Sequence, residues 1–249
     1  MNEETQANPD WYRGSHLDRG STYDQRLSTN AFDDYMTRAE TALLDRIIPG
    51  MFDGPVGSYL DFACGTGRIT QVVSHHCLRS TGVDISESML EAARSKCPNV
   101  QFLHRDLTRD GAGMGTFDLA TSFRFFGNAE DALREDAMAA LGRLVRTGGF
   151  LIVNGHRNPR SVANALHVLT GGKNVLDLSW PKLRGLLLRH RFRPVRLIGI
   201  GGWIWRHGLI DRIGAPPAWA PAMDRIMTTA PLARFCPDFL VVAEKMDPV

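Results

Sequence analysis

This chain has little of several things, and each shortage narrows what it can be. No apolar run approaches the roughly 20 residues that carry a helix across a bilayer, so the 249-residue sequence offers no transmembrane helix. Its 4 cysteines, Cys64, Cys77, Cys97 and Cys236, form no CxxC pair and no metal-ligand spacing. That argues against a zinc module or a disulfide scaffold, and for reduced thiols in a cytoplasmic protein with no bound metal. The opening residues, MNEETQANPD, are polar and acidic and lack the basic and apolar regions of a signal peptide. No internal repeat or low-complexity stretch is found, which sets solenoids aside. Acids are scarce from Arg143 to Arg212, where Asp177 and Asp211 stand against 13 Lys or Arg. Such a segment reads either as solvated helix faces or as an electropositive rim that attracts an anionic substrate.

What is present is ordinary for a globular protein: 43% hydrophobic and 22% charged residues, with length enough for one α/β domain. The organising stretch runs from Tyr59 to Thr70, YLDFACGTGRIT. A buried strand ends at Leu60, Asp61 and Phe62, Gly65 and Gly67 ask for a loop with unusual backbone angles, and Arg68 restarts a helical pattern. Strand, glycine loop and helix N-terminus together make a cradle for a nucleotide. A lone GxG is not specific, so the neighbouring motifs decide what it holds.

Taken in order, residues 1–28 read as a polar arm or lid with Trp11, Tyr12 and Tyr23 as anchors. Asn30 can cap a helix whose apolar face is Phe32, Tyr35, Met36, Leu43, Leu44, Ile47 and Ile48, stopped by Pro49-Gly50. After the cradle the pattern predicts a helix over 68–77, a strand over 79–84, and a helix capped by Ser86 with Met89, Leu90 and Ala93 inward. A strand over 100–105 precedes Asp106, a strand over 116–122 follows, and a helix spans 129–146. Gly148-Gly149 then turns the chain into a strand over 150–154. Ser161 and Ser179 can cap two further helices, and strands over 195–200 and 239–243 complete the set. The insert between those two carries Trp203, Trp205 and Trp219, which suit core packing, a homodimer face or a substrate pocket. The alternation predicts a doubly wound, mostly parallel seven-stranded sheet with helices on both faces. One domain covers 1–249: an N-terminal helical arm and lid (1–50), a cofactor-binding core (51–156), and the remaining sheet with substrate-side inserts (157–249).

The order of these motifs resembles the class I S-adenosylmethionine-dependent methyltransferases over roughly residues 30–200. LDFACGTG (60–67) resembles their first motif, which implies that Asp61, Ala63, Gly65, Thr66 and Gly67 face the methionine part of S-adenosyl-L-methionine. GVDIS (82–86) resembles the second, which implies that Asp84 accepts hydrogen bonds from both ribose hydroxyls, with Ile85 and Met89 among the cofactor contacts. HRDL (104–107) resembles the third and gives Asp106 and Leu107 to the adenine. Ser122 and Phe123 open a segment that closes over the cofactor toward the acceptor. By the same resemblance Arg38 pairs with the cofactor carboxylate, unless it stays a solvated helix arginine, and Tyr23 folds over the cofactor as part of a lid.

The physical logic stands beside the resemblance. A ribose offers two adjacent donors, and a carboxylate at a strand end offers two matching acceptors in charge-assisted bonds. Three acids, Asp61, Asp84 and Asp106, fall at or just beyond the ends of predicted parallel strands, on the edge where open α/β sheets bind ligands. A nicotinamide-binding loop would place a third small residue where this chain has Thr70.

For the acceptor, Ser122-Phe123-Arg124-Phe125 is not the Asn or Asp, two prolines and aromatic of amino-directed nucleic-acid enzymes, and no cysteine suits cytosine chemistry. DNA is therefore disfavoured, and RNA is weakly supported by basic residues without a binding module. The expected reaction is methyl transfer to an oxygen or nitrogen of a small acceptor, anionic or natural-product-like. RNA methylation and a non-catalytic S-adenosylmethionine-binding protein are the alternatives. His156, just beyond the fifth strand, is the candidate base.

Overall fold

Seven strands build one sheet in the computed structural model, which describes residue 29 and residues 31–172, 178–202, 218–227 and 231–248. The strands are β1 (Tyr59–Phe62), β2 (Ser80–Asp84), β3 (Gln101–His104), β4 (Phe117–Ser122), β5 (Val145–Gly155), β6 (Phe192–Ile200) and β7 (Asp238–Lys245). Their order is β3-β2-β1-β4-β5-β7-β6. The first five run parallel, and β7 lies antiparallel between β5 and β6. The expected mostly parallel, seven-stranded sheet is what forms.

Helices cover both faces: α1 (Ala31–Ile47), α2 (Arg68–Val73), α3 (Glu87–Lys96), α4 (Asp131–Leu144), α5 (Val162–Leu169), α6 (Trp180–Arg189) and α7 (Ala220–Met227). The period of two along each strand sorts the core into two layers. Leu60, Phe62, Leu151, Val153, Phe239 and Val241 pack under α4 and α6. Tyr59, Leu119, Ile152, Leu240 and Val242 pack under α1 with Met36, Leu44 and Ile47. Ser86 caps α3 by accepting the Met89 amide at 3.4 Å, and Ser161 caps α5 by accepting Asn164 N at 3.1 Å.

Several boundaries move, each for a tertiary reason. Gly148-Gly149 is not a turn into β5: the strand begins at Val145, which pairs with Phe117 through a register shift, so α4 stops at Leu144. The helix expected over 68–77 ends at Val73 and tightens into a 3-10 turn, Ser74–His76. Strand β6 begins at Phe192 rather than after Pro194, because a proline on a sheet edge withholds no ladder bond the sheet requires. Ser179 precedes α6 but makes no side-chain cap bond. Asn30, Tyr23, Trp11, Tyr12, Trp203 and Trp205 lie outside the described residues, whereas Trp219 is 51% exposed.

Candidate functional site

The glycine loop, the ends of β1, β2 and β4 and the loop after β3 surround a cleft with about 1070 Å³ of empty space, its open mouth included. Asp61, Ala63, Gly65, Thr66, Asp84, Ile85, Met89, Asp106, Leu107 and Phe123 all line it. The motifs that are scattered over 60–123 in the sequence therefore meet at one edge of the sheet, because parallel strands all deliver their C-terminal ends there.

Asp84 is held at both oxygens. Its Oδ2 accepts the Gly65 amide at 2.8 Å and its Oδ1 the Ser86 amide at 2.9 Å. Gly65 has φ +54, and a side chain there would project into open space, so its bare backbone forms part of the cradle. Gly67 departs from expectation. It does not line the cleft; its φ is +76 and a Cβ would stand 3.1 Å from that of Ala93, so its work is to let the loop pack on α3.

Asp61 is 1% exposed and sits in a hydroxyl cage. Thr70 Oγ1 donates to it at 2.5 Å and Thr121 Oγ1 at 2.8 Å, with Tyr59 Oη 2.6 Å from Thr121. Thr70, the residue that distinguishes this loop from a nicotinamide-binding one, thus has a structural use. Burial pushes the Asp61 carboxyl up to about 6 against the pull of these hydroxyls and of the Arg68 charge. Asp106 is oriented by Thr108, whose amide and hydroxyl donate to Oδ1 at 3.0 and 2.6 Å. Burial, then the charges of Asp61 and Asp84, push the Cys64 thiol well up, so it lines the cleft as a neutral group.

Other expected residues are placed elsewhere. Arg38 projects from the outer face of α1, 66% exposed, with Nη2 2.6 Å from Asp34, so the cleft-lining arginines are Arg68, Arg105 and Arg124 instead. Ser122 is fully buried beneath the lining, and its Oγ has no hydrogen-bond partner among the described residues. His156 is buried and paired with Asp238 rather than exposed in a loop, and it does not line the cleft.

The sequence reading also passed over a buried polar network. Glu40, with no exposed surface, lies among the apolar residues of α1. It accepts from Arg68 Nη1 and Asn154 Nδ2, each at 2.8 Å. Asn154 Oδ1 takes the Arg124 amide at 2.7 Å, and Arg124 Nη1 meets Asp33 Oδ1 at 2.9 Å. Arg124 itself has φ 56, a left-handed conformation costly for a side chain. The network's one visible signal in the sequence was Glu40, a charge four residues from Met36 and from Leu44, in the middle of the apolar stripe. The basic segment after Arg143, by contrast, disperses: Arg146, Lys182, Arg189 and Arg193 meet Asp118, Asp131, Glu135 and Glu244.

A cleft of this kind on a sheet ordered 3-2-1-4-5-7-6, with its seventh strand antiparallel, defines the Rossmann-like methyltransferase fold. Residues 60–149 match the family model described as "Methyltransferase domain". Trans-aconitate 2-methyltransferase of Rhizobium meliloti is 28% identical over 168 residues, 66% of this chain and 60% of that one. An uncharacterized RNA methyltransferase of Chlorobaculum tepidum is 32% identical over 99 residues, 38% of this chain and 20% of that one. Among solved structures, magnesium protoporphyrin IX methyltransferase from Synechocystis PCC 6803 with bound SAH superposes with a TM-score of 0.62 at 15% identity, covering 94% of this chain and 97% of that one. Residues 60–149 thus make a methyltransferase domain, within a chain whose fold is that of the Rossmann-like methyltransferases. The chain spans about half the length of the curated relatives it matches, from 20% to 63%.

The residues present fit the family's cofactor. A carboxylate fixed at the end of β2 suits a ribose diol, Asp106 suits an exocyclic amine, and Ile85, Met89 and Leu107 offer an apolar slot for a purine. No helix among the described residues is long and apolar enough to cross a membrane, and those residues contain no His, Cys, Asp and Glu group that could hold a metal.

Proposed function

We propose that this chain transfers a methyl group from S-adenosylmethionine to an oxygen or nitrogen of a small acceptor. The observation that carries the reading is the convergence of Asp61, Asp84 and Asp106 on one cleft, with Asp84 clamped by two backbone amides. The cofactor supplies a methyl group on a sulfonium, already activated for displacement. What remains for the protein is to hold the acceptor in line, exclude water and manage a proton. Asp84 binds the ribose, Asp106 the adenine, and the Asp61 end of the cleft receives the amino-acid part. Phe123, Arg124, Phe125 and Asn128 form the acceptor side, and His156 is the base.

The name of one relative, for trans-aconitate, a carboxylate, favours an acceptor bearing an anionic group, while Arg68 and Arg124 in the lining are already opposed by Glu40 and Asp33. The four free cysteines agree with a cytoplasmic setting. Titration calorimetry with S-adenosylhomocysteine tests the cofactor: binding is expected, and its absence would end the methyltransferase reading. Labelled S-adenosylmethionine with a panel of small acceptors then tests the transfer. If only RNA is labelled, with affinity falling steeply as salt rises, the acceptor is a nucleic acid instead.

A further inference from the structure

The apolar side chains that this fold leaves in water are not scattered. Of the twelve large hydrophobic residues exposed among the described ones, six fall in two short stretches, α5 and the 3-10 turn Leu232–Phe235 before β7. Val162, Leu166 and Leu169 follow the i, i+4, i+7 spacing of one helix face, yet they are 42%, 40% and 80% exposed. An apolar stripe normally turns inward. On α5 it turns out, and within the helix only Ala163 and Asn164 are buried. Every residue from Ala165 to Thr170 is exposed, so the second half of the helix stands clear of the fold.

The two stretches adjoin. Asn158 Nδ2 donates to the carbonyls of Arg234 and Cys236, at 2.8 and 3.0 Å, and Asn164 Nδ2 donates to the Pro159 carbonyl at 2.8 Å. Those bonds tie the loop after β5 to the turn before β7 and to the start of α5. Three exposed arginines, Arg157, Arg160 and Arg234, project from this loop and turn. None is ion-paired among the described residues, and Arg234 lies 5.0 Å from the centroid of the Phe235 ring. No Asp or Glu occurs from Arg157 to Gly172 or from Pro231 to Pro237. Because β5 runs parallel to β4 and antiparallel to β7, the end of β5 and the start of β7 reach the same sheet edge as the cleft.

A convex, apolar helix end flanked by unpaired cations suits a lipid surface: the apolar side chains enter the acyl boundary while the guanidinium groups meet anionic headgroups. A second copy of the chain suits it poorly. An isologous contact sets each patch against itself, so arginines would face arginines with no carboxylate in either stretch. Nucleic acid leaves the aliphatic stripe of α5 without a role, since bases stack on aromatic side chains. We propose that α5 and the turn before β7 dock on a membrane surface bearing anionic lipid. The docking goes beyond the methyl-transfer reading and does not depend on it. It brings the edge that carries the cleft to the bilayer.

Co-sedimentation of the full chain with vesicles tests it. Vesicles of phosphatidylcholine mixed with phosphatidylglycerol should carry the wild-type protein down, those of phosphatidylcholine alone should not, and added salt should weaken the binding. Leu166→Asp with Leu169→Asp, and separately Arg160→Glu with Arg234→Glu, should each lower the partition coefficient by roughly tenfold or more. Both pairs are exposed, so melting temperature and S-adenosylhomocysteine affinity should stay at the wild-type values. Wild-type protein that ignores anionic vesicles, or binds the zwitterionic ones equally, overturns the proposal, as does wild-type binding by either double variant. A dimer that the leucine pair breaks would assign the stripe to a second copy, and a melting temperature that drops with the leucine pair would assign it to the chain's own packing. Either result overturns the lipid surface.

Discussion

The Oδ2 of Asp84 accepts the backbone amide of Gly65 at 2.8 Å, tying the end of β2 to a loop 19 residues earlier in the chain. One carboxylate thereby orients the glycine loop and presents itself to the cleft.

Asp84→Ala should weaken S-adenosylhomocysteine binding by about 1.5–3 kcal/mol, the scale of hydrogen bonds to a charged group. Calorimetry on folded variant and wild type gives the difference. Equal affinities would remove Asp84 from the cofactor site.

Asp61 makes stability fall as pH rises. Its folded-state carboxyl stands at about 6, above the ordinary 3.8, so the protonated form stabilises the fold below pH 4 and that contribution is lost on the way up through pH 6. Relative to Asp61→Asn, the wild type without cofactor should lose about 2.4 kcal/mol between pH 4 and pH 7.5. Urea unfolding of both proteins at the two pH values measures it, and parallel pH curves would show that Asp61 titrates normally. The hydroxyls of Thr70 and Thr121 can turn to suit an amide, so the variant should fold.

Gly67→Ala should cost roughly 2–4 kcal/mol, the sum of a left-handed backbone and a crowded Cβ. The crowding partner is Ala93, 3.1 Å away. Adding Ala93→Gly should therefore restore part of the loss and leave the backbone share, a pattern thermal denaturation of the two variants can resolve. No recovery in the double variant would mean the backbone conformation accounts for all of it.

Glu40→Ala should destabilise by about 3 kcal/mol, since it leaves Arg68, only 15% exposed, without its carboxylate. Cofactor affinity should fall as well, because Arg68 lines the cleft. A loss below about 1 kcal/mol would mean that water takes over the role of Glu40.

The acid-bearing side of the cleft was legible in the chain because its determinants are local. A strand end, an acid and a turn lie within a few residues of one another at 61–67, 84–86 and 106–108, and parallel topology brings the three together. Gly67 was legible as a residue but not in its use, since the neighbour that requires it, Ala93, lies on another helix. Arg38 takes the solvated alternative of its two readings: it shares α1 with buried residues, yet the helix rotation turns it to solvent and into a pair with Asp34.

By itself the sequence determined the alternation of strands and helices, the glycine loop and the acids that follow three strands, because period, turn chemistry and strand ends are properties of adjacent residues. Only the tertiary structure decided that Glu40 is buried against Arg68 and Asn154, 28 and 114 residues away, and that His156 faces Asp238 across 82 residues. Whether a charge is solvated or held in a network depends on what packs against it, and those partners come from elements that meet only when the sheet closes.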